Sequence, residues 1–147
     1  MTFHSIRERA LLVIPIRVAL GLLWLAAARI AGAERGPAIL AFVIGLLGIV
    51  IAIFNDPRTR FAQGRVEPLE LPAGAVVAPA WRQALAAMLP STVGVSVLAA
   101  IAVVPQPTLA ALLGGVCAGL GVATLLSLSR IDQTLYVDPR SRVFYRR

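Results

Sequence analysis

Four long apolar segments dominate this sequence of 147 residues. A membrane-spanning α-helix needs about 20 mostly apolar residues, because each residue adds about 1.5 Å toward a hydrocarbon core about 30 Å thick. The chain is 59% hydrophobic and only 14% charged, whereas soluble domains are about 45–50% apolar and about 25% charged. We therefore predict an all-α integral membrane protein with four transmembrane helices, and we exclude a disordered chain or a soluble enzyme with a charged cleft. The predicted single membrane domain covers residues 1–147, with helices at about 8–31, 37–54, 82–104 and 108–129, a loop at 55–81 and a tail at 130–147.

The first apolar segment has a second interpretation. Arg7 and Arg9 precede it, and the small residues 31–33 resemble the cleavage site of a secretory signal peptide. Arg17, however, interrupts what would be the uncharged core of such a signal. We therefore predict that this segment is retained as a helix.

The placement of the arginines predicts the orientation. All 14 basic residues are arginine, with two in the N-terminal tail, four between helices two and three, and five from residue 130 onward. The opposite side has only Arg29 and Arg35. By the positive-inside rule, both termini and the long loop are cytoplasmic, so the helices form two hairpins. The absence of lysine is typical of a GC-rich bacterial genome, and we expect the bacterial inner membrane.

The net charge of +7 predicts contacts with anionic groups. Because the arginines flank apolar helices, anionic phospholipid or other integral membrane subunits are better partners than nucleic acid. Trp81 follows an apolar stretch of the long loop and suits an interfacial anchor. The candidate lipid or partner contacts are Arg17, Arg29, Arg58, Arg60, Arg140, Arg142, Trp81, Tyr136 and Tyr145.

Arg17 is the most informative of these residues, because an arginine inside an apolar span is unfavourable and is usually functional. Only eleven residues separate Arg17 from Arg29, about 18 Å of helix, which is too short for the membrane core. At least one of them must lie at membrane depth, snorkel to the surface or bind a partner. A structural or lipid-facing role and a ligand or subunit contact both remain open for Arg17.

Small residues recur at helical spacing and predict close helix packing. The pattern is strict in helix four and weaker in helix two, and it serves either the bundle itself or another protein, with a glycine-lined pore as the alternative. In helix three, Pro90 predicts a kink, and the hydroxyls of Ser91 and Thr92 can bond the carbonyls that proline frees. The helix-packing candidates are Ala111, Gly115, Gly119, Ala123, Gly45 and Gly48.

The C-terminal tail predicts a short β-hairpin. Asp138 and Pro139 suit the first two positions of a type I turn, and β-forming residues flank them. Such a hairpin offers Tyr136 and Tyr145 to a partner, whereas the alternative is a basic anchor on anionic lipid.

The sequence offers little for catalysis or metal binding. His4 and Cys117 are single and distant in sequence, so we expect no metal site, no cofactor and no nucleophile paired with a base. All seven acidic residues lie outside the four apolar runs, at about 11–28, 37–54, 84–104 and 109–129, which disfavours proton-coupled export and cation channels.

Arg17, Gly21 and Trp24 resemble the beginning of DoxX-type four-helix membrane proteins. The resemblance covers about a dozen residues of the first helix. Position 28 carries alanine where that pattern has a further glycine, and the other three helices show no match. The resemblance implies a membrane redox protein, but the quinone-linked roles of the family do not carry over to this chain.

These observations lead to three functional expectations. The first is a non-enzymatic accessory or assembly subunit of a larger membrane protein complex, which acts by helix packing and cytoplasmic basic contacts. The alternative is a small channel or transporter for an anionic or lipid-like substrate. The second alternative is a DoxX-like membrane redox protein.

Overall fold

The computed structural model of the protein describes residues 2–56, 69–128, 135–137 and 144–146, and within them the chain is mostly helical, as predicted. The helices are α1 (Ile6–Ile30), α2 (Arg35–Asn55), α3 (Ala80–Met88), α4 (Ser91–Ala102) and α5 (Pro107–Leu128). The strands are β1 (Thr2–Ser5), β2 (Leu69–Glu70), β3 (Val76–Val77), β4 (Leu135–Val137) and β5 (Phe144–Arg146).

Three helices, α1, α2 and α5, are long and apolar enough to cross a membrane. The bent pair α3 and α4 supplies a fourth candidate if it is taken as one span. The composition and length of these helices therefore fit residence in a membrane.

Helix α1 begins where its sequence favours a helix start. Ser5 is extended, and its hydroxyl accepts a bond from the backbone N–H of Glu8 at 3.4 Å, while the Glu8 carboxylate complements the positive end of the helix dipole. Pro15 lies inside α1 without ending it. At the other end, Gly32 adopts a φ of 105°, which glycine tolerates and which turns the chain toward α2.

Helix α5 is the central element, since α1, α2 and α4 all pack against it. Gly114 lies against Gly21, whereas Gly121, two turns later, lies against Ile14. The two helices therefore run antiparallel. Their backbones approach closely because glycine carries no side chain, and a Cβ added at Gly21 or Gly114 would collide with the facing helix.

Helix α2 packs on a different side of α5 and runs parallel to it. Gly115 contacts the backbone of Phe42, and Gly119, one turn later, contacts Ile49. Since α5 is antiparallel to α1 and parallel to α2, helices α1 and α2 are antiparallel neighbours along the chain. The β1 strand pairs with β4 through His4 and Val137, so the two terminal segments meet at the end of the bundle where α1 begins.

The third predicted helix, 82–104, is wrong as one continuous element. Helices α3 and α4 are separated by Leu89 and Pro90 and meet at an angle of 52°. Leu89 is extended, with φ −88° and ψ 138°, and Pro90 lacks the N–H that a continuous helix would need. The predicted kink is therefore a complete break.

A small five-stranded sheet, ordered β2-β5-β4-β1-β3, adds to the all-α prediction. The antiparallel pairing of β4 with β5 matches the predicted C-terminal hairpin, with Tyr136 opposite Tyr145. Strands β1, β2 and β3 were not predicted, because two to four residues are too few to show an alternating pattern. Phe3 of β1 is only 1% exposed, so the sheet packs on the bundle and does not extend freely from it.

Candidate functional site

Arg17 connects α1 to three other helices. Its Nε donates to the Thr92 hydroxyl of α4 at 2.9 Å, and its Nη1 donates to the Thr124 hydroxyl of α5 at 3.3 Å. Its Nη2 donates to the backbone carbonyl of Ala87 in α3 at 3.1 Å. The Thr124 hydroxyl in turn donates to the Leu120 carbonyl at 2.7 Å. One guanidinium therefore links four helices, α1, α3, α4 and α5.

The Ala87 carbonyl is available because α3 breaks one residue later. The last four carbonyls of a helix have no partner within it, and Pro90 removes a further backbone donor. The sequence analysis named the hydroxyls of Ser91 and Thr92 as able to bond the freed carbonyls. The described donor to Ala87 is instead the Arg17 guanidinium, and the Thr92 hydroxyl, whose residue is 0% exposed, accepts from the same side chain.

The depth of Arg17 follows from its neighbours on α5. The Cβ of Arg17 lies at the level of Gly121, whereas its guanidinium reaches Thr124, four residues from the end of α5. The Arg17 side chain thus extends toward the N-terminus of α1, which is the end of the bundle that carries the strands. Side chains on α-helices generally lean in this direction. Thr124 lies about 6 Å from the end of α5 at 1.5 Å per residue.

A cleft of about 310 Å³ opens beside this network between α1, α3 and α5. Arg9 and Arg17 both line it, and the described residues contribute no carboxylate to its wall. Arg9 is half-buried, and no described residue forms a hydrogen bond or ion pair with its guanidinium. The cleft is lined by Ile6, Arg9, Ala10, Val13, Arg17, Ala86, Ala87, Leu89 and Thr124.

An apolar groove of about 350 Å³ lies next to the cleft, between α1 and α4. Its α1 side consists of Ile16, one residue before Arg17, and Leu20, three residues after it. Thr92 belongs to the groove and accepts the bond from Arg17, which belongs to the cleft. The Arg17–Thr92 hydrogen bond thus joins a wall of the cleft to a wall of the groove, and the two cavities lie side by side.

Most of the small residues singled out in the sequence lie in the seams around α5. A Cβ added at Gly45 would lie 2.1 Å from the Leu112 carbonyl oxygen, and one at Gly115 would lie 2.0 Å from that of Phe42. Ala111 and Ala123 are 0% and 2% exposed, and Gly119 faces Leu46 and Ile49.

Gly48 does not belong to these seams. It is exposed, and a Cβ at this position would meet nothing within 4 Å. Gly48 follows Gly45 by three residues, which is less than the roughly 3.6 residues of a full helical turn. It therefore lies to one side of the face that packs on α5. Gly48 therefore does not pack against the described helices of the bundle, and its packing against another protein stays a prediction.

The other sequence candidates do not gather around Arg17. Arg29 lies at the opposite end of α1 and donates to the Ala33 carbonyl, so it closes the turn between α1 and α2. Trp81, in the first turn of α3, is 56% exposed and carries the Arg82 guanidinium 5.1 Å from its ring centroid. Tyr136 lies in β4 and is half-buried. Arg58, Arg60, Arg140, Arg142 and the side chain of Tyr145 lie outside the described residues.

Arg9 is the site residue that the sequence analysis missed. It was counted with the N-terminal tail although the predicted helix at 8–31 contains it, and the structure places it beside Arg17 in the cleft. The spacing of Arg9, Val13 and Arg17, four residues each, was the available signal, since residues four apart share one face of a helix.

Cys117 is completely buried in α5, with its Sγ 3.9 Å from the Ser96 hydroxyl. Among the described residues, no three His, Cys, Asp or Glu side chains form a group that could hold a metal ion.

Comparison with family models, curated proteins and solved structures returned no match to this chain. The resemblance to DoxX-type proteins thus remains limited to part of the first helix. In the structure, Gly21 lies against Gly114 and Ala118, and the Cβ of Trp24 lies against Gly114. Two of the three residues that carry the resemblance therefore have a packing role.

Proposed function

We propose that the protein is a non-enzymatic accessory or assembly subunit of a larger membrane protein complex, and that it binds its partner along an open side of the bundle. Helices α2 and α4 both pack on α5, but no Cα atom of α2 lies within 8 Å of a Cα atom of α4. A closed four-helix bundle would bring each helix against two neighbours. The gap between α2 and α4 is the observation on which this proposal rests.

A stripe of α5 is only partly covered by the described helices in this gap. It consists of Leu109, Leu113, Val116 and Leu120, which we call the open stripe; their spacings of four, three and four residues place them on one face of the helix. Leu109 is 41% exposed, and the other three are half-buried. The remaining faces of α5 between residues 110 and 121 are buried against α1, α2 and α4, apart from Leu112 at the edge of the α2 contact.

Exposed glycines on the two flanking helices support the same proposal. Gly48 of α2 and Gly94 of α4 are exposed, and a Cβ at either would meet nothing within 4 Å. A glycine inside a helix is less favourable than alanine by roughly 0.5–1 kcal/mol. Since neither glycine allows a close contact within the bundle, close approach by a helix of another subunit gives both of them a role.

The proposed setting is the bacterial inner membrane with both termini cytoplasmic. The positive-inside distribution of arginines supports this orientation. The meeting of β1 and β4 at one end of the bundle is compatible with it, since both terminal segments then lie on the same side of the membrane.

The channel or transporter alternative centred on Arg17 and the kinked third helix. Three of the N–H groups of its guanidinium bond to Thr92, Thr124 and the Ala87 carbonyl. This arrangement supports a role in holding the helices together more directly than a role in transport.

Site-specific photocrosslinking tests the proposed interface. A photoreactive residue at Leu109, in the open stripe, should give one discrete protein adduct in the native membrane. The matched control is Leu23 of α1, which is 56% exposed and lies outside the open stripe; it should give lipid adducts only. Equal protein adducts at both positions, or none at Leu109, would contradict the proposal.

A further inference from the structure

We propose that the cationic cleft and the adjoining apolar groove together bind one anionic phospholipid, with its phosphate at Arg9 and Arg17 and an acyl chain between α1 and α4. This site is separate from the open stripe and does not depend on the proposed partner subunit. It rests on the arrangement of charge, hydrogen-bond donors and apolar surface on one face of the protein.

The cleft carries two positive charges and unused donors. A guanidinium has five N–H groups, and Arg17 uses three of them within the chain, which leaves two. The five N–H groups of Arg9 have no partner among the described residues. Half-buried donors of this kind normally find an acceptor, and a phosphate, with several acceptor oxygens and a negative charge, is the acceptor that guanidinium groups bind best.

The depth of the cleft suits a lipid headgroup. The Arg17 guanidinium reaches Thr124, about 6 Å from the end of α5, and Arg9 lies two turns nearer the beginning of α1. In a membrane spanned by α5, this level is where the hydrocarbon gives way to the headgroups. Arginine side chains adopt such positions by extending their stems through the apolar region and their charge to the phosphates.

The apolar groove distinguishes a phospholipid from a free phosphate. It begins at Ile16 and Thr92, directly beside the Arg17 network, and continues along α4 to Ala100. Two helical turns separate Thr92 from Ala100, about 12 Å, which accommodates a large part of an acyl chain. A free anion would use the cleft alone, whereas a phospholipid uses both.

Native mass spectrometry from a neutral detergent tests the proposal. The protein is mixed with phosphatidylglycerol, with phosphatidylcholine of the same acyl chains, or with inorganic phosphate alone. We expect one phosphatidylglycerol per protein, with phosphatidylcholine bound about tenfold more weakly. Equal binding of the two lipids would overturn the proposal, and so would binding of inorganic phosphate without a preference for phosphatidylglycerol.

Two variants with matched controls locate the site. Arg9→Gln should weaken phosphatidylglycerol binding about tenfold, the loss expected for one charge-assisted hydrogen bond, and it removes no described hydrogen bond within the bundle. The control Arg82→Gln removes an exposed arginine near the same end and should leave binding unchanged. An equal loss in both variants would indicate general charge attraction and would overturn the site.

The second variant fills the groove. Ala100→Trp should lower binding of phosphatidylglycerol, because the indole occupies the space proposed for the acyl chain. The control Ala26→Trp places the same side chain on an exposed position of α1. If both variants keep full binding, or if both lose it equally, the acyl chain does not lie between α1 and α4.

Discussion

Replacing Gly45 with alanine should lower the free energy of unfolding by about 1–3 kcal/mol, the usual range for overpacking a tight contact. The added Cβ would lie 2.1 Å from the Leu112 carbonyl oxygen and 3.1 Å from the Val116 nitrogen. Both are backbone atoms, so no side chain can rotate aside. Helix α2 must move away from α5, and the seam between them loses contact along its length.

Gly48→Ala is the matched control for Gly45→Ala. It makes the same change three residues away on the same helix, at a position with nothing within 4 Å. It should leave stability unchanged or raise it by up to about 1 kcal/mol, because alanine favours the helix over glycine. The measurement is unfolding of the detergent-solubilised protein by sodium dodecyl sulfate, followed by circular dichroism. Equal stability of the two variants would mean that α2 does not pack on α5 through Gly45.

Replacing Arg17 with methionine should destabilise the protein by about 2–3 kcal/mol. Methionine keeps much of the length and volume of the arginine stem but removes three hydrogen bonds to α3, α4 and α5. The buried Thr92 hydroxyl and the Ala87 carbonyl then lose their donors, and each such loss destabilises by about 1–3 kcal/mol. Relief of the desolvation of the guanidinium offsets part of this loss.

Two further variants separate hydrogen bonding from charge. Arg17→Lys keeps the charge, but an ammonium on a flexible stem cannot reproduce the planar fork that reaches three acceptors, so we expect an intermediate loss. Arg35→Met removes an exposed arginine at the beginning of α2 and should change stability by less than about 0.5 kcal/mol. The same unfolding experiment measures the free energy of unfolding of all three variants. A neutral Arg17→Met variant would show that Arg17 does not hold the helices together.

The long helices were predictable because their hydrophobic segments are long. Helices α1, α2 and α5 begin and end within two residues of the predicted bounds, since a run of some 20 apolar residues leaves few alternatives. The small residues of α5 were also a reliable signal, because glycine at four-residue spacing has little use except close packing. Gly48 shows the limit of that argument, since spacing alone does not tell which face of a helix is covered.

The break at Pro90 and the contacts of Arg17 were less accessible from sequence. A proline inside a helix either bends it or ends it, and Pro15 and Pro90 gave opposite outcomes in this chain. At the break, the Ala87 carbonyl is bonded by Arg17, which lies 70 residues away in sequence. Contacts over such separations leave no periodic pattern in a single sequence.

Copurification from native membranes tests the central claim that the protein is a subunit of a larger assembly. The account predicts that the tagged protein, extracted in a mild detergent, carries the same membrane protein at the same fixed stoichiometry in independent preparations. Gly48→Leu should reduce the bound partner without lowering the stability of the protein itself, because Gly48 touches nothing within the bundle. Recovery of the protein as a monomer, free of any other polypeptide before and after the substitution, would contradict the account.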